Sequence, residues 1–226
     1  GITLGYRPSP PHVEIKIFAR GNLAISAMPN YIKDVKKSLD TALVTDRFPS
    51  ISEEVHTLMM ESGKSLSIAE SCTGGMLTSQ LVDFPGSSTY LKQGLVTYSN
   101  TAKQKILGVK EDTLQNHGAV SLEAALEMAM GARSLLETDF ALATTGIAGP
   151  DGGSDEKPVG LVAIALCDNN TSWVQTIKLS NRSRNLVRVM SCAVAHDMLR
   201  RRLIDEDPIV DYPFISRLDS QVIHVD

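Results

Sequence analysis

The chain has 226 residues, 42% of them hydrophobic, with a net charge of −4 and a pI near 5.8. That length can bury the core of one medium domain plus a small appendage, and the weak acidity offers no electrostatic reason for a nucleic-acid or anionic-membrane partner. Cys72, Cys167 and Cys192 are few, odd in number and far apart, which argues against a disulfide framework or a zinc site and for a reduced, cytoplasmic setting.

The opening GITLGYRPSP lacks the charged-then-apolar pattern of a signal peptide, and no run of about 18 apolar residues predicts a membrane span. Val13 to Ala19 alternates apolar and polar residues and predicts a half-exposed strand. Ile32, Val35, Leu39 and Leu43 recur at helical spacing, predicting a helix from Tyr31 to Leu43. This opening is too short for a full domain, and Arg47-Phe48-Pro49 is the expected linker. Ser50 and Glu53 form a capping box for a helix that Gly63 ends.

A strand is predicted from Leu66 to Ala69, a helix from Met76 to Val82, a strand from Gly94 to Tyr98 and a helix from Thr101 to Leu107, which Gly108 ends. Ser121 caps a longer helix with Leu122, Leu126, Ala129 and Leu136 along one stripe. Strands follow at Phe140–Thr144, Val162–Leu166 and Trp173–Leu179, then a helix from Asn185 to Leu203. The tail, 205–226, has no clear period. The alternation over 50–204 predicts an α/β fold with helices on both faces of a mixed sheet.

Three loops at predicted strand ends carry chemistry, as expected of an open α/β sheet. The first is Ala69-Glu70-Ser71-Cys72-Thr73-Gly74-Gly75. Its glycines and the helix that follows suit a phosphate or carboxylate, or simply a tight capped turn. The GxxxxGK[ST] spacing of a P-loop is absent. A thiol nucleophile at Cys72, with His117 as base, is the alternative use of this stretch; a buried, inert cysteine is the commoner fate. The second loop region brings Ser88, Tyr98 and Lys103 within a short span. A serine hydroxyl needs a base, and a desolvated lysine can be one; the same residue types also occur as an ordinary surface loop. The third, Thr144 to Gly153, is glycine-rich enough to wrap a nucleotide or sugar. Arg182 and Arg184 precede the last helix, as phosphate ligands or as solvated cations. Asp151, Asp155 and Glu156 lack metal-ligand spacing, and no metal or other cofactor is predicted.

Taken together, AESCTGG, GSSTYLKQGLVTYSNTAKQKILGV, HGAVS and TTGIAGPDGGSDEKPVG closely resemble, in this order, the CinA C-terminal family, which includes the nicotinamide-nucleotide amidohydrolases. The resemblance implies a three-layer α/β/α sandwich around a mixed, mainly parallel sheet over residues 47–204. It implies metal-free hydrolysis of the carboxamide of nicotinamide mononucleotide to nicotinate mononucleotide and ammonia. It assigns Ser88 as nucleophile, with Ser71 as the alternative, and Lys103 as base and later proton donor. Tyr98 orients or relays, and Thr145 hydrogen-bonds the carboxamide or the oxyanion. Ser71, Thr73, Gly74, Gly75, Gly146, Ala148, Gly149 and Arg182 are implied to line the substrate site, backbone N–H groups holding phosphate and ribose. Residues 1–46, with LGYRP and VEIKIFARG, are similar to the end of the small α/β linker domain of full-length CinA proteins. The expectation follows that the molybdopterin-binding-like domain preceding it there, and any pyrophosphatase activity of that domain, is missing. The rival reading is a nucleotide-binding module without catalysis. The expected partner is a small nucleotide; the sequence does not set the oligomeric state, although strand-edge or helix-face homodimers are common among soluble enzymes.

Overall fold

The computed structural model describes residues 1–179, 182–212 and 215–224. At the N-terminus, β1 (Ile2–Ser9) and β2 (His12–Ala19) form an antiparallel two-stranded ladder of their own. Helix α1 (Asn22–Leu39) starts well before the expected Tyr31 and carries Pro29 inside it. None of its residues is buried, which is why its apolar spacing marked only its second half.

The remaining elements keep the predicted order, with the helix Glu111–Asn116 and the strand Ser216–His224 as additions that were not expected. They are α2 (Ile51–Ser62), β3 (Leu66–Glu70), α3 (Met76–Val82), β4 (Leu91–Val96), α4 (Asn100–Leu107), α5 (Glu111–Asn116), α6 (Leu122–Leu135), β5 (Phe140–Gly146), β6 (Leu161–Cys167), β7 (Thr171–Lys178), α7 (Arg184–Leu203) and β8 (Ser216–His224). The caps read from sequence are present: the Ser50 hydroxyl accepts from the Glu53 N–H at 3.2 Å, and Gly63 ends α2 with φ of 63°.

The six-stranded sheet has the order β4-β3-β5-β6-β7-β8. β3 pairs parallel with β4 and β5, whereas β6, β7 and β8 extend the sheet antiparallel. The sheet is therefore mixed, with its parallel pairings gathered on the side that carries the site. The strand β8 comes from the tail that showed no period. It pairs along β7 as an edge strand with few buried side chains, so main-chain hydrogen bonding holds it without the alternation a half-buried strand requires.

Alternation along the strands splits the core. Leu66, Ile68, Leu142, Ile164 and Ile177 pack under α2, α3 and α7. On the opposite face, Ala69, Ala141, Ala143, Ala163 and Ala165 pack with α6 and with Leu107 at the end of α4. Those small strand residues let α6 settle close to the sheet. Its Gly131 then abuts α4: a Cβ there would lie 1.9 Å from the Leu107 carbonyl oxygen. That approach anchors the end of α4, the helix that supplies the buried lysine described next.

Candidate active site

The register of the parallel strands builds the site. Glu70 at the end of β3 is level with Val96 of β4 and with Thr144 of β5. The next residues, Ser71 and Thr97, therefore leave the sheet beside Thr145, which is still paired with β6, at the C-terminal edge of the parallel strands, where open α/β sheets bind ligands. A cavity of about 230 Å³ opens there, lined among others by Ser71, Tyr98, Lys103, Thr145 and Arg184.

Its floor is a serine–lysine pair. Lys103 sits one turn into α4, a helix capped by Ser99, whose hydroxyl accepts from the Ala102 N–H at 3.1 Å. The ammonium nitrogen lies 2.9 Å from Ser71 Oγ and 2.9 Å from the Thr97 carbonyl oxygen. Only 1% of Lys103 is exposed, and 8% of Ser71. Among the described residues no carboxylate forms an ion pair with Lys103. Burial pushes its pKa below the ordinary 10.5, partly opposed by Cys72. With one N–H held by the Thr97 carbonyl, a neutral amine presents its lone pair to the Ser71 hydroxyl.

Ser88 is not part of this pair. It lies in an exposed 3-10 turn, Ser87–Thr89, just before β4. The Tyr90 carbonyl accepts from the Leu66 N–H at the start of β3, so Ser88 belongs to the opposite edge of the sheet. At about 3.3 Å of rise per strand residue, that is roughly 15–20 Å from Ser71. The assignment of Ser88 as Lys103's partner is corrected to Ser71. Strand direction carried the signal: a loop entering β4 and a loop leaving the parallel β3 cannot share an edge.

The AESCTGG turn also departs from expectation. Glu70, fully buried, directs its carboxylate into the N-terminus of α3. There it accepts from the N–H groups of Gly75 (2.9 Å), Leu77 (3.1 Å) and Thr78 (2.9 Å) and from the Thr78 hydroxyl (2.7 Å). The donors expected to cradle a phosphate are thus taken by the chain's own carboxylate. Gly74 and Gly75, at φ of 60° and 90°, make the left-handed turn that lets α3 fold back over Glu70, and neither lines the cavity. Thr73 is likewise turned inward, its hydroxyl 2.7 Å from that of Thr144. The Thr73 carbonyl accepts twice from the Arg188 guanidinium, at 2.7 and 3.2 Å. Glu70→Ala strips four donors of a buried charged acceptor and is expected to cost about 3 kcal/mol, read as a lowered midpoint in urea unfolding.

At the rim, Arg184 donates to the Gly149 carbonyl at 2.7 Å and to the Tyr98 hydroxyl at 3.2 Å. Tyr98 is 62% exposed, so it holds the rim arginine and does not stand between Ser71 and Lys103. Gly146 and Ala148 line the cavity, whereas Gly149 contributes its carbonyl to Arg184. Arg182 is exposed and outside the lining; the arginine at the mouth is the one two residues on, placed by the first turn of α7. Asn100, Ala119 and Val120 were missed as lining residues, although the last two lie in the HGAVS stretch. Thr145 donates its hydroxyl to the Ala119 carbonyl at 2.7 Å, so that hydrogen is not free for an oxyanion.

Cys72 lines the cavity, but its thiol is pushed up to about 12 by burial. His117 lies outside the lining and faces Glu123 at 3.4 Å. A thiolate–histidine pair is therefore not assembled. The Cys72 and Thr73 N–H groups, directly after Ser71, have no main-chain acceptor among the described residues. No cluster of three or more His, Cys, Asp or Glu side chains suited to a metal occurs among the described residues. Nor is any described helix long and apolar enough to cross a membrane.

Comparison with known proteins agrees with this architecture. The family model described as "CinA C-terminal domain" matches residues 49–203. A "CinA-like protein" of Shewanella sp. (strain ANA-3) is 60% identical over 220 residues, covering 97% of this chain and 52% of that protein. "Nicotinamide-nucleotide amidohydrolase PncC" of Shewanella oneidensis is 59% identical with the same coverage. The chain thus spans about half the length of these curated relatives. Among solved structures, the competence/damage inducible protein CihA from Agrobacterium tumefaciens is 40% identical with a TM-score of 0.66, covering 71% of this chain and 99% of that one. A CinA superfamily protein from Escherichia coli is 27% identical with a TM-score of 0.64, covering 74% of this chain and 98% of that one. On this matched region and these identities, the chain belongs to the CinA C-terminal domain family.

Proposed function

We propose that the domain hydrolyses the carboxamide of nicotinamide mononucleotide, giving nicotinate mononucleotide and ammonia. The observation that carries the reading is the buried Lys103 amine at 2.9 Å from Ser71 Oγ, with no carboxylate paired to it among the described residues. A relative at 59% identity bears the name of that activity.

In this mechanism neutral Lys103 removes the Ser71 proton as Oγ attacks the carboxamide carbon. The oxyanion forms against the Cys72 and Thr73 N–H groups. Collapse breaks the C–N bond, and the Lys103 ammonium gives its proton to the departing nitrogen, releasing ammonia and leaving a Ser71 ester. Water, deprotonated by Lys103, then attacks the ester, and Ser71 leaves with the proton Lys103 had taken. The balance is amide plus water to acid plus ammonia, with the lysine unchanged.

The cavity, at about 230 Å³, is small beside the usual ligand cleft. It fits the nicotinamide end of the substrate and leaves the phosphate at the mouth, where Arg184 and Asn100 stand. Arg184→Ala is expected to raise KM about tenfold with kcat changed less than about threefold, as loss of a charged phosphate contact without a role in the chemical step. Arg182→Ala is expected to leave both constants near those of the parent. The deciding experiment is ammonia release from nicotinamide mononucleotide by the purified chain. Binding of the nucleotide without ammonia release would replace the amidohydrolase with a nucleotide-binding module.

A further inference from the structure

Alternation along β5 sends Thr144 toward the Ser71 turn and Thr145 to the other face, against the loop between α5 and α6. The Thr145 contact has only one possible polarity. A carbonyl oxygen has no hydrogen to give, so the 2.7 Å contact to Ala119 fixes the hydroxyl hydrogen on the Ala119 side. Thr145 is 1% exposed and lines the cavity beside Ala119. Toward a ligand it therefore offers lone pairs only. The wall it stands on is held in place: the Lys157 ammonium reaches over from the glycine-rich loop to the carbonyls of Val120 (2.8 Å) and His117. The hydroxyl cannot easily turn round, because that would leave the Ala119 carbonyl without its donor.

We infer that Thr145, locked as an acceptor by Ala119, selects the carboxamide over the acid it becomes. The inference rests on the amidohydrolase reading and adds a specificity role to the same site. The substrate –NH2 supplies the hydrogen that Thr145 accepts. The product carboxylate has none, so its oxygen meets the Thr145 lone pairs and leaves a buried acceptor unsatisfied. A site built to pair with a polar hydrogen strongly rejects an analogue that lacks it. Cleavage of the C–N bond thus removes the group that held the substrate, and the acid leaves.

The test uses Ser71→Ala, in which turnover is blocked, and three ligands in calorimetric titration: nicotinamide mononucleotide, nicotinate mononucleotide and 3-acetylpyridine mononucleotide. The last is neutral and replaces –NH2 by –CH3 at nearly constant shape. It separates loss of the hydrogen-bond donor from the charge of the acid. The acetyl compound is expected to bind about tenfold more weakly than the amide, the effect of one hydrogen bond. Adding Thr145→Val should bring that ratio close to one, and adding Thr145→Ser should keep it. Equal binding of amide and acetyl ligand to Ser71→Ala overturns the inference without needing any Thr145 variant, as does a ratio that Thr145→Val leaves unchanged. Failure of all three nucleotides to bind would instead overturn the substrate reading on which the inference rests.

Discussion

Ser71→Ala is expected to reduce ammonia release from nicotinamide mononucleotide by about a thousandfold or more, because removal of a nucleophile cannot be offset by the rest of the site. Ser88→Ala is expected to stay within about twofold of the parent, since Ser88 is exposed and lies at the far edge of the sheet. The pair of variants separates two serines that both sit in family motifs. Rapid-mixing measurement of ammonia gives the rate, and mass spectrometry of the quenched parent tests for the ester at Ser71. Full loss in Ser88→Ala with activity in Ser71→Ala would reverse the assignment. Cys72→Ala is expected to keep most of the rate, because its thiol is pushed up to about 12 and carries almost no thiolate at neutral pH.

Lys103→Met is expected to lower kcat by about a hundred- to ten-thousandfold, the range associated with a positioned general base. The pH profile separates this role from mere packing. The working form is the neutral amine, so the parent's rate should rise as pH rises through the native lysine pKa and level off above it. Burial sets that pKa below 10.5, which moves the rise toward neutrality, and Lys103→Met should lose the rise. Stability has the matching sign. Between the native pKa and 10.5 the unfolded chain binds more protons at this lysine than the folded one, so folding stability rises with pH in that window. Below the native pKa, burying the ammonium costs stability. The advantage of Lys103→Met in denaturant melts should therefore be largest at lower pH and narrow as pH approaches 10.5. A parent rate that shows no rise with pH anywhere below 10.5 would remove Lys103 as the base.

Much of the fold was legible because burial writes itself into the sequence as a period. Met76–Val82 emerged with the predicted bounds, and Ser50 and Ser121 both cap helices through their hydroxyls. Elements that bury little left no such record. The strand β8 is mostly exposed, α5 has six residues, and no residue of α1 is buried. In β1, Gly5 and Pro8 obscure the pattern of a strand that needs only one partner.

By itself, the sequence determined the chemistry available: which hydroxyls, amines and glycines lie at strand ends, and the family whose motifs they form. Only the tertiary structure decided which of them meet. The parallel register that sets Glu70 level with Val96 and Thr144 brings Ser71 to Lys103 and excludes Ser88. The closing of α3 over Glu70 turned an expected phosphate cradle into a structural cap. Both outcomes depend on contacts between residues far apart in the chain, whose distances are fixed by strand direction and backbone hydrogen bonding. A local motif holds neither quantity, which is why AESCTGG alone could not reveal that its serine is the partner of the lysine 32 residues on.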